Sequence, residues 1–130
     1  MAHLNKLIAV GLGGGIGSIG RYLITLLAST LGATGFPLGT FTANCGGCLL
    51  IGFFWSWFDR VPISNEFRLF LFTGFLGGFT TFSTYARESV QLFKAGETVH
   101  AVGYILFGNI AGLGMVAAGF LLAEKLIIRP

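Results

Sequence analysis

Apolar residues come in four long runs, 7–31, Leu38–Phe58, 67–93 and 99–128, separated by short polar stretches. Each run reaches the ~20 residues that an α-helix needs to cross a bilayer. The pattern predicts an all-α membrane protein with four transmembrane helices in one domain, 1–130. The prolines respect these limits: Pro37 precedes the second run, Pro62 lies between the second and third, and Pro130 ends the chain. Trp55 and Trp57 close the second run, with Asp59 and Arg60 directly after, the order expected where a helix leaves the lipid. The opening MAHLNK has the character of a secretory leader, but the chain stays membrane-like beyond it, so the first run is read as a retained helix.

Composition agrees with the pattern. The chain is 54% hydrophobic and 10% charged, with mean hydropathy +0.81, where a soluble domain has roughly 45–50% apolar and 25% charged residues. The net charge of +3 is spread over segment ends and forms no basic stripe, which argues against a nucleic-acid partner. Four crossings put both termini and the loop at 59–68 on one side, with Lys6, Arg60, Arg68, Lys125 and Arg129, against Lys94 opposite. Taken alone, this favours termini facing the cytoplasm; counting Arg21 and Arg87 with Lys94 reduces the bias to five against three.

Glycines repeat at i, i+4 as Gly11/Gly15, Gly13/Gly17, Gly74/Gly78 and Gly108/Gly112, the spacing at which membrane helices approach closely. Together they predict a tight bundle and an oligomer, because four such helices are too few to enclose a pore alone. Cys45 and Cys48 form a C-x-x-C, but no βαβ setting or second cysteine pair accompanies it, and they are read as packing residues with free thiols. GLGGGIG lacks the preceding strand and following Lys-Ser/Thr of a phosphate loop and is read as a packing surface too.

Polar residues inside the apolar runs are harder to assign to packing. Arg21, Asn44, Arg87, Glu88 and Asn109 must each find a partner or line a wet path. Arg87 and Glu88 either belong to such a path or mark a half-helix ending near the interface, and Asn44 and Asn109 are either pathway groups or interhelical glue. Most unusual is 74–85, GFLGGFTTFSTY, with three glycines and five hydroxyl-bearing residues in the middle of the third run. Gly74, Gly77 and Gly78 lower helix propensity by about 1 kcal/mol each and permit a break there. Irregular backbone at membrane depth survives only where it is buried or lines a cavity. Freed carbonyls suit a hard cation, and half-helix ends recur at ion sites. Phe82 and Tyr85, three apart, share a face; their positive ring edges and the neighbouring hydroxyls can solvate an anion loosely, as a permeation path requires, or the rings can be ordinary packing.

The stretches GGGIGSIGRY, PLGTFTAN and TGFLGGFTTFSTY, with Glu88 just beyond and a glycine-rich fourth run, closely resemble the Fluc/CrcB family of small fluoride channels over nearly the whole chain. The resemblance implies a channel, not an enzyme. It implies a dual-topology antiparallel homodimer in the bacterial plasma (inner) membrane, with two fluoride pores that export F⁻ passively and confer fluoride resistance. It further implies a structural Na⁺ at the dimer centre, held by backbone carbonyls of Gly77 and Thr80 from both copies. The family's paired pore phenylalanines map onto Phe82 and Tyr85 and its pore asparagine onto Asn44. Ser83, Thr84 and Glu88 fall where polar pore residues are expected, with Thr40 and Asn109 as further candidates. Two departures stand out. Tyr85 replaces the second phenylalanine, adding a hydroxyl that can help dehydrate fluoride or slow it; and residues 105–123 contain no Ser or Thr, with Leu113 near the position where relatives often carry a hydroxyl. A proton-coupled small multidrug exporter would need a carboxylate in the first run, and 7–31 holds no Asp or Glu. A non-transporting assembly subunit would leave the broken third run unexplained.

Overall fold

A computed structural model describes residues 1–33 and 35–128; Arg129 and Pro130, which entered the charge count and the chain limits above, lie outside the described residues. Regular structure in the described residues is entirely helical. Helix α1 is Ala2–Thr30 and α2 is Leu38–Phe58. The third crossing is assembled from α3 (Asn65–Arg68), a π-helical stretch Leu69–Leu76, α4 (Gly77–Phe79) and, after two non-helical residues, α5 (Phe82–Lys94). Helix α6 is Thr98–Ala123 and continues as a π turn, Glu124–Ile128. Three helices, Ala2–Thr30, Leu38–Phe58 and Thr98–Ile127, are long and apolar enough to cross a membrane unbroken. The fourth helical unit is the divided one.

Local chemistry sets the ends of the third crossing. Ser64, in an extended conformation, accepts the Phe67 N–H at 3.1 Å and caps α3, satisfying one of the donors that a helix start leaves free. At the far end Gly96, with φ +79°, lets the chain reverse so that the Glu97 N–H reaches back to the Leu92 carbonyl at 2.9 Å. Helix α5 therefore runs on to Lys94, so Arg87 and Glu88 stand in its interior and do not mark a half-helix end.

Glycine makes the helix contacts. Helix α1 packs along the π stretch and α4, and α2 packs along α6. A Cβ on Gly17 would overlap the Phe75 carbonyl, and one on Gly74 would lie 2.8 Å from the Val10 carbonyl oxygen. On the other side of the bundle a Cβ at Gly119 would sit 2.7 Å from the Phe53 nitrogen, so α2 and α6 also touch backbone to backbone. Of the glycine pairs expected to pack, Gly13/Gly17 and Gly74/Gly78 do so against each other's helices. Gly11 and Gly15 face open space.

The third run breaks near its centre, as expected, but not at its glycines. Gly74, Gly77 and Gly78 are all helical, and the chain opens at Thr80 (φ −90°, ψ 152°) and Thr81 (φ −148°, ψ 117°). Missing Cβ atoms at Gly74 and Gly78 serve the approach to α1, while the break is held by polar contacts described below. Leu7, Leu12, Leu23 and Leu27 on α1 point away from the bundle, as lipid-facing side chains do, whereas Tyr104 on α6 is fully buried. At the end of α2, Arg68 donates to the Phe58 carbonyl at 3.1 Å, its guanidinium 5.7 Å from the Trp55 ring centre, which ties the aromatic interface residues to a charge favoured at a helix C-terminus.

Candidate functional site

The break is organised by one side chain from the neighbouring helix. Asn44 on α2 accepts the Thr81 N–H through Oδ1 at 2.8 Å and donates from Nδ2 to the Thr81 carbonyl at 3.1 Å. A primary amide presents a donor and an acceptor side by side, so it satisfies both backbone groups of a residue that has left the helical ladder. In a continuous helix the Thr81 N–H would bond to the Gly77 carbonyl. Because it turns to Asn44 instead, the Gly77 oxygen loses its helical partner. Thr81 in turn caps α5, its hydroxyl oxygen accepting the Thr84 N–H at 3.2 Å and lying 3.2 Å from Thr84 Oγ1 and 3.4 Å from Ser83 Oγ. The Thr80 hydroxyl folds back onto the Leu76 carbonyl at 2.8 Å. On the other flank, Arg21 of α1 donates from Nε to the Gly78 carbonyl at 3.2 Å, placing its charge at the negative end of α4.

Beyond the break, Phe82 and Tyr85 present adjacent rings, centres 5.8 Å apart and tilted by 48°. Phe82 is 79% exposed in the single chain. Tyr85 is held differently: its hydroxyl donates to the Ile105 carbonyl at 3.2 Å and accepts from Asn109 Nδ2 at 3.0 Å, and Asn109 also donates to the Ile105 carbonyl at 2.8 Å. With its one proton engaged, the Tyr85 hydroxyl clamps the ring to α6. Gly108 leaves room for that ring, since a Cβ there would lie 3.1 Å from it.

Asn44, Thr80, Thr81, Phe82, Tyr85 and Asn109 share an apolar cleft of about 450 Å³ between α2, the broken third crossing and α6. Gly77 and Leu113 also border it. Thr40 and Glu88 stand apart from this wall and form a second polar group: the buried Thr40 hydroxyl donates to Glu88 Oε1 at 2.9 Å and Tyr104 donates to Oε2 at 2.8 Å, with the Arg87 guanidinium 3.9 Å away. Tyr104 links the two places, because its side chain borders the main cleft while its hydroxyl holds Glu88, which borders a smaller cleft beside Phe36 and Pro37. Thr81 enters the sequence reading only as one hydroxyl of the 74–85 cluster, without a role of its own, and Tyr104 does not enter it at all. Thr81 carried the signal, lying within the hydroxyl cluster; Tyr104 is another hydroxyl in an apolar run, legible by the rule that pointed to Tyr85.

A membrane-spanning helix bundle with a capped break in one crossing shares the broken-helix organisation that recurs at ion and substrate sites of membrane proteins. The profile of the family described as "CrcB-like protein, Camphor Resistance (CrcB)" matches residues 8–120, and the chain belongs to that family, one of fluoride ion channels and not of enzymes. The chain is 50% identical to the fluoride-specific ion channel FluC of Desulfotalea psychrophila over 123 residues, covering 95% of each protein. It is 43% identical to the protein of that name from Phocaeicola vulgatus over 93% of this chain and 100% of the relative. With that from Legionella pneumophila strain Lens the identity is 42% over 93% and 91%.

Proposed function

We propose that this chain is a fluoride-selective channel that releases F⁻ passively across the bacterial inner membrane, lowering cytoplasmic fluoride and giving fluoride resistance. The observation that carries the reading is the Asn44-capped break, followed by the Phe82–Tyr85 ring pair and the Thr81, Ser83 and Thr84 hydroxyls. Ring edges and hydroxyl protons replace the hydration of a small anion without a fixed cation that would trap it. A membrane potential, negative inside, drives the anion out with about 2.3 kcal/mol per charge per 100 mV, so no energy-coupling site is required. In this reading, selectivity over chloride comes from a narrow path whose donors replace the hydration of a small ion and cannot reach around a larger one.

The working unit in this proposal is an antiparallel dual-topology homodimer of four-helix domains, with two pores. Asn109, a polar side chain exposed in the single chain on a membrane-embedded helix, supports a second copy closing the cleft. The Gly77 carbonyl, left without its helical partner, fits a backbone Na⁺ site shared with the Thr80 carbonyl. When bound, the ion would occupy the carbonyl lone pairs that the break leaves without N–H partners. Glu88, Thr40 and Tyr104 form the polar approach to the pore. The test is fluoride release from proteoliposomes under a valinomycin potassium clamp, with chloride followed in parallel. Fast fluoride and no chloride release is expected; no fluoride release from a verified dimer overturns the proposal.

A further inference from the structure

The ion-pathway reading leaves one chemically distinctive pair without a role. Cys45 and Cys48, the two cysteines of the chain, are free thiols. Their i, i+3 spacing on α2 puts them on one face of the helix, with Cβ atoms about 5–6 Å apart, and both border the 450 Å³ cleft. Cys48 faces α6 at Gly112, where an added Cβ would stand in ordinary van der Waals contact with its sulfur, at 3.5 Å. Neither thiol makes a hydrogen bond among the described contacts, so neither would lose a partner on binding a metal.

We infer that Cys45 and Cys48 form a two-coordinate site for a soft divalent cation of the mercury(II) type. Thiolates select soft metals. Both thiols give up their protons and two sulfur–metal bonds form: 2 RSH + M²⁺ → M(SR)₂ + 2 H⁺, with no change of oxidation state. The product is neutral, which matters in an apolar cleft where a net charge is strongly disfavoured. A metal that requires four ligands finds no complement here, because the described residues contain no cluster of three or more His, Cys, Asp and Glu that could hold one. An occupied site would stand beside Asn44 and Tyr85 and obstruct the cleft; that consequence rests on the proposed ion path, whereas binding does not.

Titration of the reduced full-length protein in detergent with HgCl₂ tests this, read by the thiolate-to-metal absorption in the ultraviolet and by proton release. The expected result is one metal and two protons per chain, with the metal retained against a monothiol competitor at least ten-fold better than in C45A or C48S, both checked for the wild-type elution profile. Two metals per chain, or equal retention by either single variant, overturns the two-thiolate site. Fluoride release by the metal-free protein is measured separately, so failure of the channel reading and failure of the metal site are distinguishable.

Discussion

Replacing Asn44 by alanine strikes the contact that organises the break. The substitution removes two hydrogen bonds, from the Thr81 N–H at 2.8 Å and to the Thr81 carbonyl at 3.1 Å. Such bonds are worth about 1 kcal/mol each net in soluble proteins, with a further 1–3 kcal/mol for a buried group left unpaired, while interhelical bonds in membranes average about 0.6 kcal/mol. One relaxation lowers the cost: the freed Thr81 N–H can return to the Gly77 carbonyl, extending α4 and closing the break. We therefore expect Asn44→Ala to lose about 1–4 kcal/mol of unfolding free energy in reversible mixed-micelle denaturation. Fluoride flux should fall by more than the loss of folded protein explains. Asn44→Asp retains an acceptor for the Thr81 N–H but sets a carboxylate oxygen against the Thr81 carbonyl in an apolar cleft, and should be at least as damaging as alanine. Unfolding within about 0.5 kcal/mol of wild type, together with unchanged flux, would refute the argument that Asn44 holds the break open.

Three further outcomes follow from named contacts. Gly17→Ala should destabilise the fold by about 1–3 kcal/mol, as overpacking does, because its Cβ would meet the Phe75 backbone, whereas Gly15→Ala should be neutral or slightly stabilising because nothing lies within 4 Å; parallel denaturation curves decide this. Tyr85→Phe should keep fluoride flux, since its hydroxyl proton is engaged with the Ile105 carbonyl; a collapse in electrode-measured release would show that the hydroxyl itself contacts the ion. Phe82→Ile removes the exposed ring edge and should strongly reduce flux while keeping the wild-type elution profile in size-exclusion chromatography, and wild-type flux would remove Phe82 from the proposed pore.

Much of the site was legible where residue type alone constrains the environment. A hydroxyl-rich stretch in hydrocarbon has few uses, so Thr80, Thr81, Ser83 and Thr84 marked 74–85 as more than packing, and Phe82 with Tyr85 three positions later pointed to a shared face. The position of the break within that stretch was less legible. Helix propensity pointed to Gly74, Gly77 and Gly78, yet all three stay helical, Gly74 and Gly78 against α1, and the unwound residues are Thr80 and Thr81, the second of them held by Asn44 and capping α5. Propensity is local, and a residue 37 positions away decided the matter.

What the sequence determined by itself was the solvent, the four helical units and the list of chemically costly residues, because bilayer thickness and the expense of unpaired polar groups act on any chain of this composition. Tertiary structure alone decided how those residues pair. Asn44 is a cap for the break, Tyr85 is clamped through Asn109 to α6, and Glu88 is held by Thr40 and Tyr104 from two other helices. These contacts depend on helix rotation and on backbone approach at Gly17, Gly74 and Gly119, quantities set by packing between segments far apart in the chain and invisible in any one of them.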